Sequence, residues 1–156
     1  MLNLVTSFCF VLCSADTAPL QADDYIRIEP LFVSNVILTK HGKSTWPGFL
    51  ALNVKDQVAG VPEAERHANH TVAAAATTLG FAVATVGLIV ASAIHDRDAY
   101  GRWPNFYGHD TTSSVLNASW LASFVGLIGA SQITRNELFL SVAKYNEAVF
   151  DSAAPH

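Results

Sequence analysis

Residues 71–94 read TVAAAATTLGFAVATVGLIVASAI and contain no Asp, Glu, Lys or Arg. At a rise of about 1.5 Å per residue, a helix of this length reaches roughly 36 Å, whereas the hydrocarbon core of a bilayer is about 30 Å thick. A second uncharged stretch of equal length, residues 111–134, follows after a short connection. We therefore predict a mainly α-helical membrane protein built on a transmembrane hairpin, with the lipid bilayer as its first partner.

Composition supports this prediction. Charged residues make up 14% of the 156-residue chain, against about 25% in ordinary soluble domains. The formal net charge is −4 and the isoelectric point is near 5.8, so the chain offers no basic surface for nucleic acid. We therefore expect no nucleic-acid partner.

Residues 1–15 form an apolar segment that ends in Cys13-Ser14-Ala15, small residues of the kind a signal peptidase recognises. Against a cleaved leader, no Lys or Arg precedes the apolar stretch. A lipoprotein anchor at Cys13 is less favoured, because Leu12 stands where a small residue is usual. Cys9 and Cys13 both lie here, so no disulfide framework is expected elsewhere.

Residues 16–61 are predicted to form an N-terminal region outside the membrane. Residues 25–29 and 31–39 are rich in β-branched and aromatic residues, and residues 40–44 have the composition of a turn. Residues 49–58 carry a loose helical stripe that ends before Gly60. A small, partly extended element packed on the helices is the expected result, and an irregular arm is the alternative.

Residues 62–134 are predicted to contain the hairpin, with spans at residues 71–94 and 111–134. Pro62 suits the first position of a helix. Glu63 and Glu65 follow in the first turn, where the positive end of the helix dipole stabilises their carboxylates. The first two turns would then project beyond the bilayer. Between the spans, residues 95–110 combine aromatic and charged side chains, which is typical of a membrane boundary.

Small residues spaced four apart occur in both spans and predict the face on which the two helices pack. Such spacing lets two backbones approach closely inside a bilayer. The predicted interface residues are Gly80, Ala84, Gly87, Ala91, Ala122, Gly126 and Ala130.

Residues 135–156 are predicted to form a separate amphipathic C-terminal helix and tail. The stretch from Thr134 to Glu137 matches a capping box, which marks a helix start. An apolar stripe and a wetter side follow; the stripe is Leu138, Val142, Tyr145 and Val149, and the wetter side is Arg135, Lys144, Asn146 and Glu147. We favour packing of the stripe on residues before position 71 over binding to the membrane surface or to another subunit.

Two arguments about orientation oppose each other. The ends of the hairpin carry more Lys and Arg near the spans than the connecting loop does, which favours placing both ends in the cytoplasm. A cleaved leader would place them outside. Both orientations stay open at this point.

The sequence contains no nucleophile elbow, P-loop, dinucleotide glycine pattern, CxxC pair or HExxH motif, so we do not predict an enzyme. His67 and His70 are three residues apart on one helix face, a spacing that can hold a metal ion. Glu63 is the nearest further ligand in sequence. We interpret this stretch as a hydrated helix end and predict no metal or other cofactor.

His95 supports an alternative with a cofactor. Ala91 stands four residues before it and Trp103 eight after, which resembles the histidine pattern of bacterial antenna polypeptides that ligate chlorophyll-type pigments. With His109 at the start of the next span, the pair could instead hold a haem through two histidines. The alternative function is therefore a pigment- or haem-binding membrane subunit.

Two segments carry a broader resemblance: Pro62-Glu63-Ala64 before the hairpin, and residues 141–146, SVAKYN, in the last helix. Together they resemble uncharacterised two-span bacterial envelope proteins with a Tyr-Asn pair in the C-terminal helix. The resemblance implies an integral membrane protein of the bacterial cell envelope. We expect a non-catalytic structural or accessory subunit that binds other membrane subunits or itself.

Overall fold

The computed structural model describes residues 24–31, 35–100 and 110–154. Its elements are strands β1 (Arg27–Leu31), β2 (Asn35–Lys40) and β3 (Lys43–Thr45), a short helix α1 (Asn53–Gln57), and two long helices, α2 (Pro62–Tyr100) and α3 (Thr111–Ala153). Both long helices are long and apolar enough to cross a membrane. The predicted leader with its two cysteines, and the aromatic residues predicted to lie between positions 101 and 109, fall outside the described residues.

The three strands form an antiparallel meander in the order β1-β2-β3. Arg27 pairs with Thr39 across β1 and β2, and Lys40 pairs with Lys43 across β2 and β3. His41 and Gly42 connect β2 to β3 with φ angles of 50° and 70°. Positive φ at both positions matches the twist of a two-residue hairpin. The predicted extended region is thus confirmed, with a narrower turn than predicted, because Lys43 already belongs to β3.

Helix α2 begins at Pro62, as predicted, and has 39 residues. Its length is therefore about 58 Å. The backbone N–H of Gly60 donates to Glu65 Oε1 at 2.8 Å, which fixes the entry into the helix. The helix continues past the apolar span to Tyr100.

Helix α3 is continuous over 43 residues, about 64 Å. The Asp110 side chain caps its start by accepting from the Ser113 backbone N–H at 2.7 Å. The predicted helix start at Thr134 is wrong. Thr134 Oγ1 donates to the Ala130 carbonyl at 2.9 Å, a bond made within a helix, and Glu137 pairs with His67 rather than with the backbone of a cap.

One apolar core lies where the sheet, α1 and the adjoining ends of α2 and α3 meet. We call this unit, residues 24–31, 35–68 and 138–154, the head. Its core consists of Ile26, Leu38, Ala51, Val54, Val58, Val61, Ala64, Ala68, Leu138, Val142, Tyr145 and Val149. The apolar stripe of the C-terminal segment therefore packs on its own chain, as predicted.

Candidate functional site

The outer surface of the hairpin is apolar along both helices. Large exposed apolar side chains between positions 79 and 133 are Leu79, Phe81, Val83, Val86, Ile89, Val90, Ile94, Val115, Leu121, Phe124, Val125, Ile128 and Ile133. The most apolar windows of α2 and α3 are only 11% and 17% buried. A core helix of a soluble protein is mostly buried, so these helices present their apolar surface outward.

The surface between the two helices is formed by small and hydroxyl-bearing side chains. In α2 they recur every seven residues, at Ala64, Thr71, Thr78, Thr85 and Ser92, and in α3 they include Ser113, Ser123, Ala130, Thr134 and Ser141. Thr71 and Thr85 donate to the carbonyls of His67 and Phe81, four residues earlier. Such bonds satisfy a hydroxyl within its own helix.

Hydrogen bonds cross between the helices along this seam. Thr78 Oγ1 lies 3.2 Å from Thr134 Oγ1, and Ser92 Oγ donates to Asn117 Oδ1 at 3.0 Å. Nearer the head, Ser141 Oγ donates to the carbonyl of Ala64 at 3.0 Å. Among the described residues, no buried side-chain nitrogen or oxygen lacks a partner. Polar groups therefore line the inside of the hairpin and apolar groups its outside.

The predicted packing face is wrong for α2. Gly80, Ala84, Gly87 and Ala91 are exposed, and a Cβ atom added to Gly80 or Gly87 would meet nothing within 4 Å. The face with seven-residue spacing turns toward α3 instead, because its hydroxyls bond within and between the helices. That spacing of Thr and Ser is visible in the sequence and marks a second candidate face for the seam.

The residues of α3 that were predicted for the packing face differ in their exposure. Ala122 is exposed, whereas Ala130 is only 6% exposed. Gly126 lies against the ring of Phe81, so that a Cβ atom at this position would stand 2.5 Å from Phe81 Cε1. The close approach of the helices at Gly126 therefore involves an aromatic ring rather than a facing small residue.

At the end of the hairpin remote from the head, four polar side chains form a group that we call the distal cluster: His95, Asp96, Asp110 and Ser113. Asp96 is only 1% exposed and accepts a hydrogen bond from Ser113 Oγ at 2.7 Å. His95 Nε2 lies 3.2 Å from Asp110 Oδ2. The cluster ties the end of α2 to the start of α3.

The hypothesis that His95 binds a chlorophyll-type pigment or a haem, both of which are tetrapyrroles, needs an accessible nitrogen on His95. That ring uses Nε2 to contact Asp110, and His109, the other predicted ligand, falls outside the described residues. The hypothesis stays a prediction, which an absorption spectrum of the purified protein would check.

At the head end of the spans, His67, His70 and Glu137 form a group that we call the proximal cluster. His67 Nδ1 lies 2.7 Å from Glu137 Oε2, and His70 Nδ1 lies 3.6 Å from the same oxygen. Because a carboxylate only accepts, His67 donates through Nδ1. Sequence reasoning named both histidines but not Glu137, which it assigned to a capping box.

Glu63, the further ligand considered from sequence, is directed elsewhere. Its Oε2 lies 3.7 Å from Lys144 Nζ, and Lys144 also donates to Glu147 Oε2 at 2.7 Å. The hydrogen bond to Glu147 and the charge of that carboxylate raise the pKa of Lys144 above its ordinary value. This exposed group of charges lies on the side of the head, apart from the proximal cluster.

The Tyr-Asn pair of the last helix attaches the sheet to α3. Asn146 accepts from the backbone N–H of Ile26 at 2.8 Å and donates to its carbonyl at 2.9 Å. Lys40 Nζ donates to the Tyr145 hydroxyl at 2.6 Å. Asn146 was predicted on the wetter side of the helix; that prediction is wrong, because its side chain is buried and its amide bonds both backbone groups of Ile26, the residue before β1.

Comparisons of the chain with protein-family models, with curated proteins and with solved structures gave no match.

Proposed function

We propose that the chain is a two-span integral membrane protein whose hairpin crosses the bilayer and holds the head at one membrane surface. The observation that carries this proposal is the distribution of side chains in the hairpin. A soluble pair of helices buries large apolar residues in its seam and exposes polar ones. Here Thr85 and Ser92 are buried, while Val83 and Val86 are more than 60% exposed.

The dimensions of the hairpin agree with this proposal. Along α2, His67 and Asp96 are 29 residues apart in the numbering, which corresponds to about 43 Å of helix. A bilayer with its headgroup regions is about 40–45 Å thick. The proximal and distal clusters would thus lie at the two headgroup regions, with the uncharged spans between them.

We propose further that the protein acts as a non-catalytic structural or accessory subunit in a bacterial cell envelope, bound to other membrane subunits or to itself. The described residues of the head pack into an apolar core, and the sequence carries none of the catalytic motifs named above. The small residues of α2 from Gly80 to Ala91 remain exposed in the isolated chain, and such a face allows close approach of another helix in lipid. The envelope location rests on the resemblance stated above.

Membrane fractionation tests the location. We expect the chain to stay with the membrane pellet after an alkaline carbonate wash and to dissolve only when detergent is added. Release by carbonate alone would contradict the two-span proposal.

Purification in a mild detergent tests the role. A stable assembly larger than the monomer and without a visible absorption band supports a subunit. A monomer would contradict it, and a Soret or pigment band would favour the tetrapyrrole alternative.

A further inference from the structure

The proximal cluster brings three metal-ligating groups together from two helices. The ligating atoms of His67, His70 and Glu137 all lie within 4.8 Å of one another. In a tetrahedral zinc site with bonds of about 2.0–2.1 Å, ligand atoms are about 3.3 Å apart. The two contacts to Glu137 Oε2, at 2.7 and 3.6 Å, bracket that separation. The ligating atoms of the two histidines lie within 4.8 Å of each other, and both side chains would have to turn toward one ion to bind it.

Two imidazoles and one carboxylate are a ligand set suited to divalent transition metals. Imidazole nitrogen favours Zn²⁺ and its neighbours over Mg²⁺ or Ca²⁺, which prefer an all-oxygen set. Three protein ligands leave a fourth position for water or for a further group. The side chains of His67 and Glu137 are 16% and 22% exposed, whereas that of His70 is 59% exposed, so the cluster opens to solvent on the His70 side.

The backbones that carry these ligands are held in place by neighbouring contacts. Ala68, next to His67, is fully buried in the core of the head. Ser141, one turn beyond Glu137 on α3, donates to the carbonyl of Ala64, one turn before His67 on α2. These contacts fix the relative position of the two helices at the level of the cluster, which lowers the cost of assembling a metal site.

We propose that His67, His70 and Glu137 bind one divalent transition-metal ion, for which Zn²⁺ is the probe, and that the ion cross-links α2 to α3 where the spans enter the head. The ion would take the place of the proton that lies between His67 Nδ1 and Glu137 Oε2, and the His67 ring would then carry its proton on Nε2. This site does not depend on the proposed membrane location, since its ligands lie outside the uncharged spans.

The test uses the full chain, purified in detergent, stripped with EDTA and dialysed. Zn²⁺ is titrated calorimetrically, and the bound metal is counted by elemental analysis. We expect one Zn²⁺ per chain. His70→Gln and Glu137→Gln should each weaken binding at least about tenfold. His41→Gln is the matched control, because His41 is an exposed histidine that pairs with Asp24 instead.

Thermal unfolding provides a second measurement on the same samples. Zn²⁺ should raise the Tm of the wild type and of His41→Gln, and should raise it much less in His70→Gln. Because His70 is more than half exposed, its replacement is expected to leave the metal-free fold intact. No saturable binding by the wild type, or equal affinity in the wild type and both ligand variants, would overturn the proposal.

Discussion

The ring of Phe81 occupies the space that a side chain at position 126 would need, with Cε1 only 2.5 Å from the place of a Cβ atom. Gly126→Leu should therefore push the ring outward or separate α2 from α3. Overpacking of this kind costs on the order of 1–3 kcal/mol. The measurement is the unfolding of the chain in detergent.

Gly129→Leu is the matched control for this prediction. Gly129 is in the same helix, three residues on, and a Cβ atom there would meet nothing within 4 Å. We expect Gly129→Leu to unfold like the wild type. Equal loss of stability in both variants would show that the contact with Phe81 is not the cause.

Asn146→Ala should loosen the sheet from α3. The change removes both hydrogen bonds to Ile26 and leaves a buried N–H and carbonyl without a partner. We expect a loss on the order of 2 kcal/mol in the free energy of unfolding, measured by chemical denaturation. A protease should also cut the variant near Ile26 sooner than it cuts the wild type. Asn136→Ala, an exposed asparagine of the same helix, should change stability by less than about 0.5 kcal/mol.

Val83→Lys distinguishes a membrane hairpin from a soluble one. Val83 is 65% exposed, so a lysine there removes little packing and would be tolerated in water. In a bilayer, a lysine near the middle of a span costs about 2.5–3.5 kcal/mol of insertion free energy. We expect a smaller carbonate-resistant fraction than for Ala59→Lys, an equally polar change at an exposed site of the head. Equal fractions for the two variants would count against the span.

Much of the fold was predictable because it follows from local patterns. The lengths of the two uncharged stretches predicted the two long helices, and Pro62 with its acidic neighbours predicted the start of α2. The spacing of the apolar stripe from Leu138 to Val149 predicted the face that packs in the head. These signals need only the residues within a few turns of each other.

The parts that sequence reasoning missed depend on distant partners. Glu137 and Asn146 each had a plausible local role, as a capping residue and as a surface amide. Their actual partners, His67 and Ile26, are 70 and 120 positions away. The choice of packing face failed for a related reason. Glycine, alanine, serine and threonine are all small enough for close packing, so spacing alone could not show which of the two faces on α2 meets α3.

Because α3 is unbroken, the last part of the helix, which packs in the head, keeps the direction of the span. A chain with a joint at Thr134 could rest its last helix flat on the lipid while the span stood upright. Helix α3 has no such joint, and Asn146 attaches Ile26, the residue before β1, directly to its C-terminal part. In the two-span arrangement that we propose, the sheet must therefore share any tilt of the span, whether the bilayer is thin or thick.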